Sequence, residues 1–169
     1  MIGVVLAAHG EVAPALLKAA EAIVGPLPQV KAISLSASED CDCMRGNVAQ
    51  AVHEVATEDG VLFLCDMFGG TPANVCLTTE CGTPVEVVTG VNLPMVIKVA
   101  TVRASGISLE DAAALIAQYG QRHITHASAV LRAKRRAVME KQAAEQASLA
   151  APPRVSERTP VHAPLAAGR

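Results

Sequence analysis

Two apolar runs in this chain each end in a residue able to do chemistry. The first is MIGVVLAAHG, with six apolar residues between Ile2 and Ala8 and then His9-Gly10. The second is VLFLC, Val61 to Cys65, followed by Asp66-Met67-Phe68-Gly69-Gly70-Thr71-Pro72. Histidine, with an ordinary pKa of about 6.5, serves as base, nucleophile or metal ligand. A carboxylate beside it accepts the Nδ1–H, sets the tautomer and leaves the Nε2 lone pair pointing outward. The same carboxylate favours imidazolium, which steadies a ring that takes on a new group. Gly69 and Gly70 let backbone N–H groups come close to an anion. Thr71 and Pro72 open a helix whose N-terminus adds donors and the positive end of a dipole. Gly10 turns the chain sharply beside the ring. Together these residues describe a nucleophilic histidine at an anion cradle, which suits a phosphoryl group on Nε2.

For that chemistry the fold must bring residues 9 and 66 together. The short apolar run ending at His9 reads as a buried parallel strand, and VLFLC as a central one. Val30 to Leu35 and Val85 to Thr89 read as two further strands. Between strands, Pro14 fits the first turn of a helix that Gly25 ends. Ser38, Asp40 and Asp42 are candidate caps for a second helix, whose buried face is Met44, Val48, Ala51, Val52 and Val55. Thr71 as N-cap with Pro72 starts a third, through about Thr79. Asn92 caps a fourth, to about Val102. Ser108 and Asp111 make a capping box for a fifth, closing at Gly120. Four βα units in a row predict an α/β, doubly wound, mostly parallel sheet with helices on both faces. With strand order 2-1-3-4, the ligand crevice lies between strands 1 and 3, at the ends that carry His9 and Asp66. His123 to Val130 is a candidate fifth strand, though Ala and Ser are poor strand formers.

Composition narrows the class. Of 169 residues, 51% are hydrophobic but only 2% aromatic. The core is therefore aliphatic, which favours helices on a Val-rich sheet over an aromatic-paired sandwich. Net charge is −2, so neither nucleic acid nor a membrane surface is expected as the main partner. No run is long enough to span a bilayer, and the N-terminus lacks the features of a signal peptide. With an odd number of cysteines, five, the expectation is reduced thiols in the cytoplasm. The expected organisation is a domain over residues 1–130, a basic helical extension over 131–150 and a disordered tail over 151–169.

Other readings compete. Cys41 and Cys43 with Cys76 and Cys81 could be a zinc set, but the usual C-x2-C spacing is absent; no metal is expected. His53 sits beside the apolar face of the second helix, where solvent exposure is the plain reading. His123, His126 and His162 lie in weakly patterned sequence. Asp66 could instead be the phosphate acceptor of a receiver-like domain. Such a domain needs an acidic pair after strand 1 to hold Mg²⁺, and here Ala7-Ala8-His9-Gly10 stands there.

Three motifs in order, VVLAAHG, GVLFLCDMFGGTPANV and EVVTGVNLPM, resemble the IIA domain of the mannose-type sugar phosphotransferase system. The similarity covers about residues 1–130. It implies that His9 is phosphorylated and Asp66 partners its ring, with Gly10 beside it, and that Gly69, Gly70 and Thr71 hold the phosphoryl oxygens. It implies a phosphotransferase that takes phosphate from the histidine of HPr and passes it to a separate IIB component, serving a membrane sugar permease indirectly. It also implies a homodimer in which a C-terminal strand, at His123 to Val130, crosses to the other subunit as a fifth, antiparallel strand. A phosphoramidate has high transfer potential, so no cofactor is expected. The dihydroxyacetone branch fits His9-Gly10 and GGTP less well. A regulatory phosphohistidine module, read by a partner instead of feeding a sugar route, is the alternative. The basic segment from Arg132 and the cysteines at 41, 43 and 81 have no counterpart in the family pattern.

Overall fold

A computed structural model describes residues 1–36 and 38–150, the side chains of 147–150 excepted. Four parallel strands, β1 (Gly3–His9), β2 (Val30–Leu35), β3 (Val61–Cys65) and β4 (Val85–Thr89), form one sheet in the order β2-β1-β3-β4. Helices α1 (Val12–Val24), α2 (Cys41–Val55), α3 (Thr71–Thr78), α4 (Leu93–Val102) and α5 (Leu109–Arg122) connect and cover it. Helix α6 runs from Ala127 to Ala150. The chain divides into two compact units, one from Met1 to Thr125 and one from His126 onward.

The strand period of two explains the layers. From β1, Val4, Leu6 and Ala8 join Leu62 and Leu64 of β3 on one face, under Ala13, Ala20, Val96, Val99 and Ile116. Val5 and Ala7 join Phe63 and Cys65 on the other, under Met44, Val48, Val52, Val55 and Cys76. Both faces of β1 and β3 are thus covered, and a continuous apolar run rather than an alternating one is what such strands need. Gly3 marks a tight spot. A Cβ there would lie 2.2 Å from the Val55 carbonyl oxygen, so the end of α2 touches the β1 backbone directly. Gly3→Ala has no side chain to push aside and must move that helix end. A loss of about 2–3 kcal/mol is expected, read from denaturant unfolding with an unchanged slope.

Three of the expected capping residues do cap. Asp40 accepts from the Asp42 N–H at 3.2 Å, Asn92 from Met95 at 3.2 Å, and Ser108 from Asp111 at 3.1 Å. Other expectations are corrected. Gly120 does not end α5, which continues to Arg122. It is buried where a Cβ would fall 2.5 Å from the Met95 sulfur, so its role is close packing between α4 and α5. In the single chain residues 123–130 do not join the sheet. His123 closes α5, three residues without regular structure follow, and α6 begins at Ala127. Ala127, Ser128 and Ala129 favour helix over strand, and that local preference prevails here. The tail expected to be disordered lies outside the described residues. No helix among the described residues is long and apolar enough to cross a membrane.

Candidate functional site

β1 and β3 are neighbours, with Ala7 opposite Cys65. The residues that follow, His9 and Asp66, therefore emerge at the same sheet edge. Their contact is direct: His9 Nδ1 lies 2.7 Å from Asp66 Oδ2. The His9 backbone N–H donates to the same oxygen at 2.9 Å. The other oxygen, Oδ1, accepts from the Met67 N–H at 2.8 Å. An ionised carboxylate only accepts, so Nδ1 carries the proton and Nε2 keeps its lone pair. Desolvation pushes the Asp66 carboxyl upward. The bonds from the His9 amide and ring and from the Met67 amide outweigh it and hold the group below the usual carboxylate range. Both Asp66 oxygens are thus engaged, one of them on the His9 ring. That is a poor arrangement for the acceptor of a receiver domain.

The two glycines after Phe68 do different work. Gly69 has φ of +74°, a conformation that favours glycine. Gly70 has an ordinary φ of −73°. Its constraint is space, since a Cβ there would lie 3.0 Å from His9 Cε1 and 2.9 Å from Met67 Cγ. The start of α3 is thus pressed against the imidazole. Gly10 also has a positive φ, +52°, where β1 turns into α1.

One expectation at α3 is corrected. The N-cap is Gly70, not Thr71; Thr71 is the first helical residue with Pro72 behind it, and no side chain caps the helix. The orphan amides at this N-terminus and the Thr71 hydroxyl are left for something else to satisfy. Sequence reasoning missed Asn74. Its side-chain amide donates to the Gly69 carbonyl at 3.3 Å and braces the glycine turn. The signal was an amide one helical turn beyond the turn it braces.

The cysteines do not assemble as the zinc reading required. Cys41 and Cys43 are exposed on the first turn of α2, whereas Cys76 is buried under the sheet with Cys65. Among the described residues no three histidine, cysteine or acidic side chains form a metal-binding group. Hydrogen bonding to Cys65 and burial push the Cys76 thiol far up, which makes it a core group. His53 is exposed on α2, and His123 Nδ1 is bound to the Tyr119 carbonyl at 2.7 Å.

Comparison with known proteins finds similarity over most of the first unit. The family model described as "PTS system fructose IIA component" matches residues 3–117. A mannose-specific EIIAB component of the phosphotransferase system from Escherichia coli (strain K12) is 31% identical over 121 residues, which are 71% of this chain and 38% of that protein. The chain therefore spans well under half the length of that relative. A fructose-specific EIIA component from Bacillus subtilis (strain 168) is 31% identical over 112 residues, 66% of this chain and 76% of its own length. Among solved structures, the mannose/sorbose specific IIA subunit from Enterococcus faecalis superposes with a TM-score of 0.64 at 30% identity, covering 73% of this chain and 92% of that one. In fold, in matched length and in sequence, this chain belongs to the mannose/fructose family of IIA components of the sugar phosphotransferase system.

Proposed function

We propose that the chain is a phosphocarrier that accepts a phosphoryl group from phospho-HPr on His9 and passes it to a separate IIB component, acting as a homodimer in the cytoplasm. The observation that carries this reading is the 2.7 Å contact of His9 Nδ1 with Asp66, with the ring set against the N-terminus of α3. The Nε2 lone pair attacks phosphorus, a new N–P bond forms, and the N–P bond to the donor imidazole breaks with its electron pair returning to that ring. Asp66 keeps Nδ1–H oriented and balances positive charge on the ring. The transition state carries charge on the equatorial oxygens, so the work left to the protein is positioning and donation. Gly69, Gly70 and Thr71 supply the donors. Transfer onward to IIB is the same displacement run from the phosphorylated His9. A membrane permease is served only through that partner.

The test is to incubate the chain with phosphoenolpyruvate, enzyme I and HPr and to characterise the bound phosphate. Label on this chain that is acid-labile and alkali-stable supports the reading. A hydroxylamine-sensitive acyl phosphate on Asp66, or no label at all, overturns it. A milder perturbation follows from the packing at residue 70. Gly70→Ala keeps an allowed backbone, and exposed Met67 can move aside, but the imidazole must shift by a few tenths of an ångström. Misplacement on that scale is expected to slow labelling about tenfold while the thermal midpoint barely moves. A large drop in that midpoint would show that the residue serves folding instead.

A further inference from the structure

The chain has two phenylalanines. Phe63 is wholly buried in β3, whereas Phe68 is 81% exposed, more than any other large apolar side chain among the described residues. Met67 beside it is 55% exposed. This apolar pair is not on a loose loop. The Met67 N–H is tied to Asp66, and Asn74 holds the Gly69 carbonyl. The space a Gly70 Cβ would fill is bounded by both Met67 Cγ and His9 Cε1, so the Met67 side chain lies alongside the reactive ring. Val12, exposed on the first turn of α1, follows Gly10 on the other connection from this edge. Neither Phe68 nor the Met67 side chain offers a donor to a phosphoryl group. An exposed aromatic on a braced turn next to a reactive group marks a contact with another macromolecule.

We propose that Phe68, supported by Met67, is the anchor on which the phosphohistidine-bearing donor protein docks; this rests on the phosphocarrier reading above. Direct transfer requires the donor imidazole to come within one phosphoryl length of His9 Nε2, which presses the donor's surface onto the rim of the site. An apolar rim excludes the water that would otherwise hydrolyse the phosphoramidate. The charge of the unit selects the fringe of the partner. Residues 1–125 carry thirteen acidic side chains against six lysines and arginines. Glu11 and Asp40 lie on the connections that leave β1 and β2 at the His9 edge, and Asp42, in the first turn of α2, is paired with Arg45 at 3.3 Å. The partner that fits is a protein with its histidine at the crest of an apolar patch ringed by lysine and arginine.

The experiment compares two phosphoryl donors on the full chain. Phospho-HPr must dock, whereas phosphoramidate, a small molecule, need not. Phe68→Ala is expected to raise KM for phospho-HPr about tenfold or more, with kcat nearly kept and phosphoramidate labelling of His9 unchanged. Phe68→Trp is expected to recover most of the loss. Equal loss with both donors would mean that Phe68 shapes the site itself, and overturns the proposal. So does an unchanged KM. If the unaltered chain takes no acid-labile label from either donor, the phosphocarrier reading falls, and the docking surface with it.

Discussion

His9→Ala is expected to abolish acid-labile, alkali-stable phosphate on this chain while leaving its fold intact. His9 ends β1 with its side chain part-exposed, so truncation opens no cavity in the core. What it does cost is the partner of Asp66. The carboxylate keeps the two backbone N–H bonds from residues 9 and 67 but loses the ring, and stability should change by about 1 kcal/mol. Rate, by contrast, has nowhere else to go, because no other histidine in the described residues stands at a helix N-terminus with a carboxylate on Nδ1. The measurement is phosphate transfer from phospho-HPr at equal protein, with circular dichroism as the control for folding. Labelling of the variant at the rate of the unaltered chain would move the phosphate to another side chain.

Asp66→Asn is the second large effect, and it separates orientation from mere bulk. The aspartate accepts on both oxygens: from the His9 ring and amide on Oδ2, and from the Met67 amide on Oδ1. Asparagine has one accepting oxygen. Turned toward His9, it sets its NH₂ against the Met67 N–H; turned the other way, it sets NH₂ against two N–H groups of His9. In either pose at least one donor is orphaned and the hold on the ring weakens. A 10–100-fold fall in transfer rate is expected, roughly the scale of losing a group that orients a reactive imidazole. The pH dependence follows from the depressed Asp66 pKa. The folded state favours the carboxylate, so its stabilising contribution is complete above the unfolded value of about 3.9 and is lost as pH falls through the lower folded value. The gap in thermal midpoint between the parent and Asp66→Asn should therefore be present at about pH 7 and shrink below about pH 4. A gap that persists unchanged at the lowest pH would place its origin in packing.

These two variants touch the part of the protein most legible in the amino-acid sequence. The strands at 30–35, 61–65 and 85–89 are bounded in the chain by glycine, proline and polar residues, and their ends agree with the observed elements. Parallel order then follows from repeated right-handed connections. Strand order in turn puts residues 9 and 66 on neighbouring strands, so the central pair could be named from the pattern alone. The caps at Asp40, Asn92 and Ser108 were legible for a similar reason. A cap is a bond between residues two or three apart, and its partners are close neighbours along the chain.

Where sequence reasoning failed, the deciding atoms come from far along the chain. Gly120 looks like a helix end in isolation; only the arrival of Met95 from α4 shows that it is a contact point. Gly70 looks like half of a flexible pair, yet its backbone is ordinary and its constraint is the His9 ring, sixty-one positions earlier. Residues 127–130 were ambiguous because a few alanines and a serine carry little strand preference, and in this chain they open α6. Phe68 could have been a core residue like Phe63. Composition and period place apolar side chains in elements, but exposure depends on what the fold leaves uncovered. The amino-acid sequence by itself determined the elements, their order and the histidine–aspartate pair, because periodicity, caps and connection handedness are local. The tertiary structure alone decided how tightly that pair is held and which side chains surround it, because close approach depends on residues that meet only when the sheet is assembled.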